Sequence, residues 1–119
     1  MPRARILIVE PMRWLRESEA ELLCRRGYEA CPAGSLVEAI AEATRAAPDL
    51  VLTRCQLGDG TGAELIRRLR EMGIDVPIIG IAGRTTTEAA LHAAGAREVI
   101  RQSFDAGTLL RVVEAALKS

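Results

Sequence analysis

A chain of 119 residues is long enough to bury a core without disulfide or metal staples, and short enough to be one domain. Apolar residues make up 49% and charged residues 27%, which excludes the disordered and membrane-spanning classes as starting points. Sixteen basic side chains balance sixteen acidic ones, so no global field draws the chain to nucleic acid or to an anionic membrane.

Ile6 to Val9 is an unbroken aliphatic run, the pattern of a strand buried on both faces and too short for the apolar region of a secretion signal. Residues 12–26 carry Leu15, Leu22 and Leu23 at helical spacing among Arg and Glu, and Gly27 stands where a left-handed cap ends a helix. Tyr28 to Pro32 predicts a short second strand. Ser35 and Glu38 form a capping box for a second helix, which is expected to turn Val37, Ile40 and Ala41 inward and to stop before Pro48. Leu50 to Arg54 is the third strand, followed by the loop LGDGTG. Thr61 then caps a third helix with the stripe Leu65, Ile66 and Leu69 and its stop at Gly73. Val76 to Ala82 predicts a fourth strand, with Pro77 tolerated near its start. One of Thr85, Thr86 and Thr87 is expected to cap a short alanine-rich helix ending at Gly95. Glu98 to Arg101 makes a fifth strand, and Asp105 caps a last helix carrying Leu109, Leu110, Val112, Val113, Ala116 and Leu117.

Five strands alternating with five helices imply an α/β fold: a doubly wound parallel sheet of order 2-1-3-4-5 with helices on both faces. No repeat, linker or low-complexity stretch divides residues 1–119. Cys24, Cys31 and Cys55 are odd in number and lack ligand spacing, which suits half-buried thiols in a reducing cytoplasm. With His92 as the single histidine, neither a metal site nor a cofactor is expected.

In this order ILIVE, GYEA, PDLVLTRCQLGDGTGAELIRRLREMGIDVPII and GAREVIRQSF resemble the response-regulator receiver domain, the flavodoxin-like module of two-component signalling. The resemblance covers nearly the whole chain and implies a set of site positions. The family's acidic pair, which holds Mg²⁺, falls on Glu10 and Pro11, and its phosphoacceptor aspartate falls on Arg54. The switch hydroxyl falls on Ala82, the aromatic switch residue on Val99, the lysine on Gln102 and the proline after it on Ser103. Of these, only Glu10 keeps part of the expected chemistry.

A guanidinium offers no lone pair for phosphoryl transfer and stays protonated. It also repels the magnesium that several oxygen ligands would have to hold. The resemblance therefore predicts a phosphorylation-independent pseudo-receiver: a cytoplasmic protein-interaction module of bacterial signalling or transcription control. No enzymatic activity, no direct nucleic-acid binding and no membrane contact are expected of it.

Two other readings stay open. Asp59 could accept a phosphoryl group in place of Arg54, although the family often has a plain loop aspartate there; Asp49 falls at the opposite end of its strand. Gly58, Gly60 and Gly62 lack the lysine of a phosphate-binding loop. Alternatively Arg54, Arg84 and Arg101, with the helix opened by Thr85 to Thr87, could hold a small anion. Arg54 itself either pairs with Glu10 or turns to solvent.

For partners, the resemblance points to the fourth helix, fifth strand and fifth helix, roughly Arg84 to Lys118, as a homodimer or target surface carrying Glu88, His92 and Arg97. The stretch between Ala82 and Gly95 is shorter than the family pattern, so the helix or the loop before it must be trimmed. Trp14 is open between core and surface: tryptophan is a core residue by default, but Leu15 beside it takes the inward slot. Arg67, Arg68 and Arg70 are expected to form a solvated basic face.

Overall fold

The aliphatic runs become five parallel strands: β1 (Arg5–Val9), β2 (Glu29–Ala33), β3 (Leu50–Arg54), β4 (Ile78–Ala82) and β5 (Glu98–Arg101). They pair in the order β2-β1-β3-β4-β5, as the alternation of strands and helices predicts. The helices between and after them are α1 (Arg13–Arg25), α2 (Leu36–Arg45), α3 (Gly62–Glu71), α4 (Thr85–Ala94) and α5 (Ala106–Lys118). The structure, a computed structural model, describes residues 3–83 and 85–118 and, for Thr85 and Thr86, the backbone alone.

The two-residue period of the strands splits the interior in two. Leu7, Val9, Val51 and Ile78 point to one side, where they pack with Leu36, Leu65, Ile66, Leu69 and Leu91 of α2, α3 and α4. Ile6, Ile8, Leu50, Leu52, Ile79 and Ile81 point to the other, against Leu23 of α1 and Leu109 and Val113 of α5. Gly80 lies in the middle of β4, where a Cβ would come within 2.8 Å of Leu91 Cδ1, so its bareness admits the α4 leucine.

Local signals set the helix ends. Ser35 Oγ accepts from the Glu38 N–H at 3.1 Å, and the Glu38 carboxylate accepts from the Gly34 N–H at 3.0 Å. Thr61 Oγ1 caps α3 by accepting from the Glu64 N–H at 3.1 Å, and Asp105 caps α5 through the Thr108 N–H at 2.7 Å. Gly27 takes a left-handed φ of 91° after α1.

Several expectations need correction. Because α2 begins at Leu36, its inward positions are Leu36, Ala39 and Ala43, with Ile40 half-buried. Val37 is 71% exposed and Ala41 faces solvent, one step off the buried stripe. β2 runs one residue later than predicted, and β4 starts only after Pro77, whose carbonyl accepts from the Val51 N–H. α4 already includes Thr85, Thr86 and Thr87, so none of the three is its cap; Arg84, before it, lies outside the described residues. Of the cysteines, Cys31 is buried, Cys55 half-buried and Cys24 exposed.

Candidate functional site

Val9 and Thr53 pair in the β1–β3 register, so the next residues of the two strands, Glu10 and Arg54, meet at the carboxyl edge of the sheet. Ligands of doubly wound folds gather at this edge. Arg54 Nε donates to Glu10 Oε1, and the side chains are 13% and 4% exposed. The other carboxylate oxygen of Glu10 accepts from the Met12 N–H at 2.9 Å. The Glu10 amide donates to the Ala33 carbonyl at 3.0 Å, and Arg16 donates to the Glu10 carbonyl at 2.8 Å and to the Pro11 carbonyl at 3.3 Å. The pair is thus held from β2 and α1 as well as from its own strands. Of the two sequence readings for Arg54, pairing with Glu10 is the one found.

Glu10, Pro11, Met12, Arg54, Gln56 and Gln102 surround an open cavity of about 750 Å³. Ala82 and Ser103 line an adjoining depression with Gly83, Arg101 and Gln102. Val99 is elsewhere: it is half-buried on the α2–α3–α4 side of the sheet. So Glu10, Pro11, Arg54 and Gln102 come together, Ala82 and Ser103 stand beside them, and Val99 does not join. The chemistry of the set is poor in oxygen ligands. Glu10 is its one carboxylate, and among the described residues no cluster of three metal-ligating side chains exists.

Asp59 does not line this cavity. Its carboxylate oxygens accept from the Leu36 and Val37 N–H groups at 2.8 and 3.0 Å, and these bonds hold its pKa below the ordinary range. It caps α2 from outside the helix. Asp49 accepts from the Arg5 N–H at 2.7 Å, at the far end of β3. Of the arginines of the anion reading, Arg54 lines the first cavity, Arg101 lines the adjoining depression and lies 3.8 Å from Glu88, and Arg84 is outside the described residues.

One residue of the site was missed in the sequence. Glu19 on α1 is 6% exposed and faces the same side of the sheet as Arg54, lining a second cavity of about 460 Å³ between α1 and α5. Its Oε1 is buried with no hydrogen-bond partner among the described residues. Burial, then the charge of Glu10, push its pKa up to about 7, against the opposing pull of Arg54. The signal was present. Leu15, Glu19, Leu22 and Leu23 follow i, i+4, i+7, i+8 spacing, which puts the glutamate on the apolar stripe.

On the predicted partner face, His92 is exposed, Glu88 approaches Arg101, and Arg97 donates to the Ala116 carbonyl at 3.3 Å, joining β5 to α5. Trp14 is 65% exposed, which settles it as a surface residue. Arg67 and Arg68 face solvent as expected, whereas Arg70 folds back to donate to the Ile74 and Val76 carbonyls at 2.9 and 3.1 Å.

Comparison with known proteins agrees with this geometry. The family model for the response regulator receiver domain matches residues 6–114. The chain is 32% identical to the phosphate regulon regulator PhoB of Pseudomonas aeruginosa, over 95% of this chain and 51% of that protein. It is 31% identical to the transcriptional regulator NtrC of Azospirillum brasilense, over 100% of this chain and 25% of that one. It therefore spans about half or less of the length of these relatives. Among solved structures, a CheY-like receiver domain from Methanospirillum hungatei superimposes with a TM-score of 0.92 at 24% identity, covering 98% of this chain and 95% of that one. The chemotaxis protein CheY4 of Vibrio cholerae gives a TM-score of 0.91 at 24% identity, covering 97% and 99%. The order of the strands, the cavity at their carboxyl edge and the family match over 109 positions (6–114) make this chain a member of the response-regulator receiver domain family.

Proposed function

We propose that this receiver domain signals without phosphorylation, as a fixed interaction module rather than a switch. The observation that carries the reading is the ion pair between Arg54 and Glu10, buried at the adjacent ends of β3 and β1. A guanidinium occupies the phosphoacceptor position of the family and its charge is satisfied by the remaining acidic residue. The arrangement supplies internally the cation-to-carboxylate contact that a magnesium ion would otherwise make. Asp59, committed to the α2 N-terminus, is a poor substitute nucleophile, because each of its oxygens accepts from a backbone N–H and the one that took a phosphoryl group would have to give up its bond. On this reading the domain is not an enzyme, takes no cofactor or metal, and acts in the cytoplasm.

Its partners are proteins rather than nucleic acid or lipid, consistent with the balanced charge. No helix among the described residues is long and apolar enough to cross a membrane. The surface of α4, β5 and α5, with Glu88, His92 and Arg97, is the candidate face for a target or a second copy. The test is an amide NMR titration with Mg²⁺ and then beryllofluoride, beside phosphate incorporation from acetyl phosphate. Wild-type protein is expected to stay silent in both. Saturable shifts around Glu10, Arg54 and Gln102, or a phosphoryl group found on Asp59, would overturn the proposal.

A further inference from the structure

The cavity between α1 and α5 has apolar walls made by Trp14, Leu22, Phe104 and Leu109, and two charged groups reach it, Glu19 from α1 and Arg54 from the end of β3. Their situations differ. Arg54 Nε is already joined to Glu10, whereas Glu19 Oε1 is buried with no hydrogen-bond partner among the described residues. A buried carboxylate with no donor is a standing cost, relieved by protonation or by a hydrogen-bond donor at the carboxylate, and a cationic donor relieves it while the charge is kept.

The neighbouring charges point the same way. The charge of Glu10 raises the Glu19 pKa and that of Arg54 lowers it, and with Glu10 joined to Arg54 the nearby cation is shared rather than given over to Glu19. The surrounding side chains then ask for an apolar body attached to any cation bound at Glu19. At about 460 Å³ the cavity lies in the range of small-molecule sites.

We propose that this cavity is a binding site for a small organic ammonium compound, its amine donating to Glu19 and its hydrocarbon or aromatic body lying between α1 and α5. The cavity adjoins the sheet-edge site and shares Met12, Arg54 and Gln102 with it, but its proposed anchor, Glu19, belongs to α1 and lines this cavity alone.

Trp14, the single tryptophan of the chain, lies on the cavity rim and serves as the reporter. The probes are 2-phenylethylammonium, 2-phenylethanol and 3-phenylpropionate, which share a body and differ in charge, titrated at about pH 8 where Glu19 is ionised. The ammonium is expected to saturate the Trp14 fluorescence change and to bind at least about tenfold more tightly than the alcohol, with the carboxylate silent. Glu19→Gln is expected to remove that tenfold preference and leave the alcohol unaffected; this near-isosteric change relieves a buried charge, so the fold should persist. A second arm needs no variant. In the wild-type protein a proton competes with the ammonium for Glu19, so affinity should fall as the pH drops through about 7. An ammonium that does not saturate, an alcohol that binds as tightly, or an affinity indifferent to both Glu19→Gln and pH would overturn the proposal.

Discussion

Glu10 is 3% exposed, and both of its carboxylate oxygens are in use, one by Arg54 and one by the Met12 amide. Removing one partner of such a pair leaves a buried charge behind, which costs far more than the pair contributes net. Arg54→Ala should therefore lower unfolding free energy by about 3 kcal/mol in urea denaturation, and adding Glu10→Gln should recover part of that loss. An Arg54→Ala protein as stable as the parent would mean that water, rather than the guanidinium, satisfies Glu10.

Glu19 makes the opposite kind of prediction. Its folded-state pKa of about 7 lies above the ordinary 4.5, so the folded state binds the proton more tightly. The stabilisation is whole below the unfolded pKa, declines from there, and is lost as pH rises through the folded one. Between about pH 5 and 8 the loss should be no more than about 3 kcal/mol, because the cavity opens to water on one side. Urea midpoints should fall across that interval for the wild type and stay nearly flat for Glu19→Gln.

At the scale of elements, the loop between β3 and α3 is fastened at two places. Asp59 reaches across to the first amides of α2, and the Gly62 N–H donates to the Cys55 carbonyl at 2.8 Å as α3 begins. Asp59→Ala should cost about 1 kcal/mol, the usual worth of a helix cap, with the exchange of the Leu36 and Val37 amides accelerated most. Gly62→Ala should cost about 2 kcal/mol or more by thermal unfolding, since its Cβ would stand 2.3 Å from the Arg54 carbonyl oxygen.

These elements also mark what the sequence disclosed. The strands were legible because Ile6 to Val9 and Leu50 to Leu52 are uninterrupted aliphatic runs, and the caps were legible because Ser35, Thr61 and Asp105 act on residues three positions away. The inward face of α2 was misjudged by one residue, because Val37 and Ala41 are apolar yet lie just off the stripe. The capping role of Asp59 escaped because its partners are 23 and 22 residues away and no local spacing records them. Glu19, by contrast, was overlooked although the stripe of Leu15, Leu22 and Leu23 carries it inward.

Across the whole molecule the central sheet divides two interiors that scarcely share side chains. Leu7 and Ile8 are neighbours in sequence yet belong to different cores. Substitutions on opposite sides should therefore be independent. Ile66→Val beside α2 and Ile79→Val beside α5 should each cost about 1 kcal/mol, and the double variant should match their sum within about 0.5 kcal/mol. A clear departure from that sum would show strain passing through the strands.

That separation has a consequence for how such a domain acquires novelty. The sheet works as a firewall: a carboxylate as ill at ease as Glu19 can settle between α1 and α5 while the packing of Leu65, Ile66 and Leu69 on the far side goes on undisturbed. One face can be edited toward a new ligand while the other goes on guaranteeing the fold.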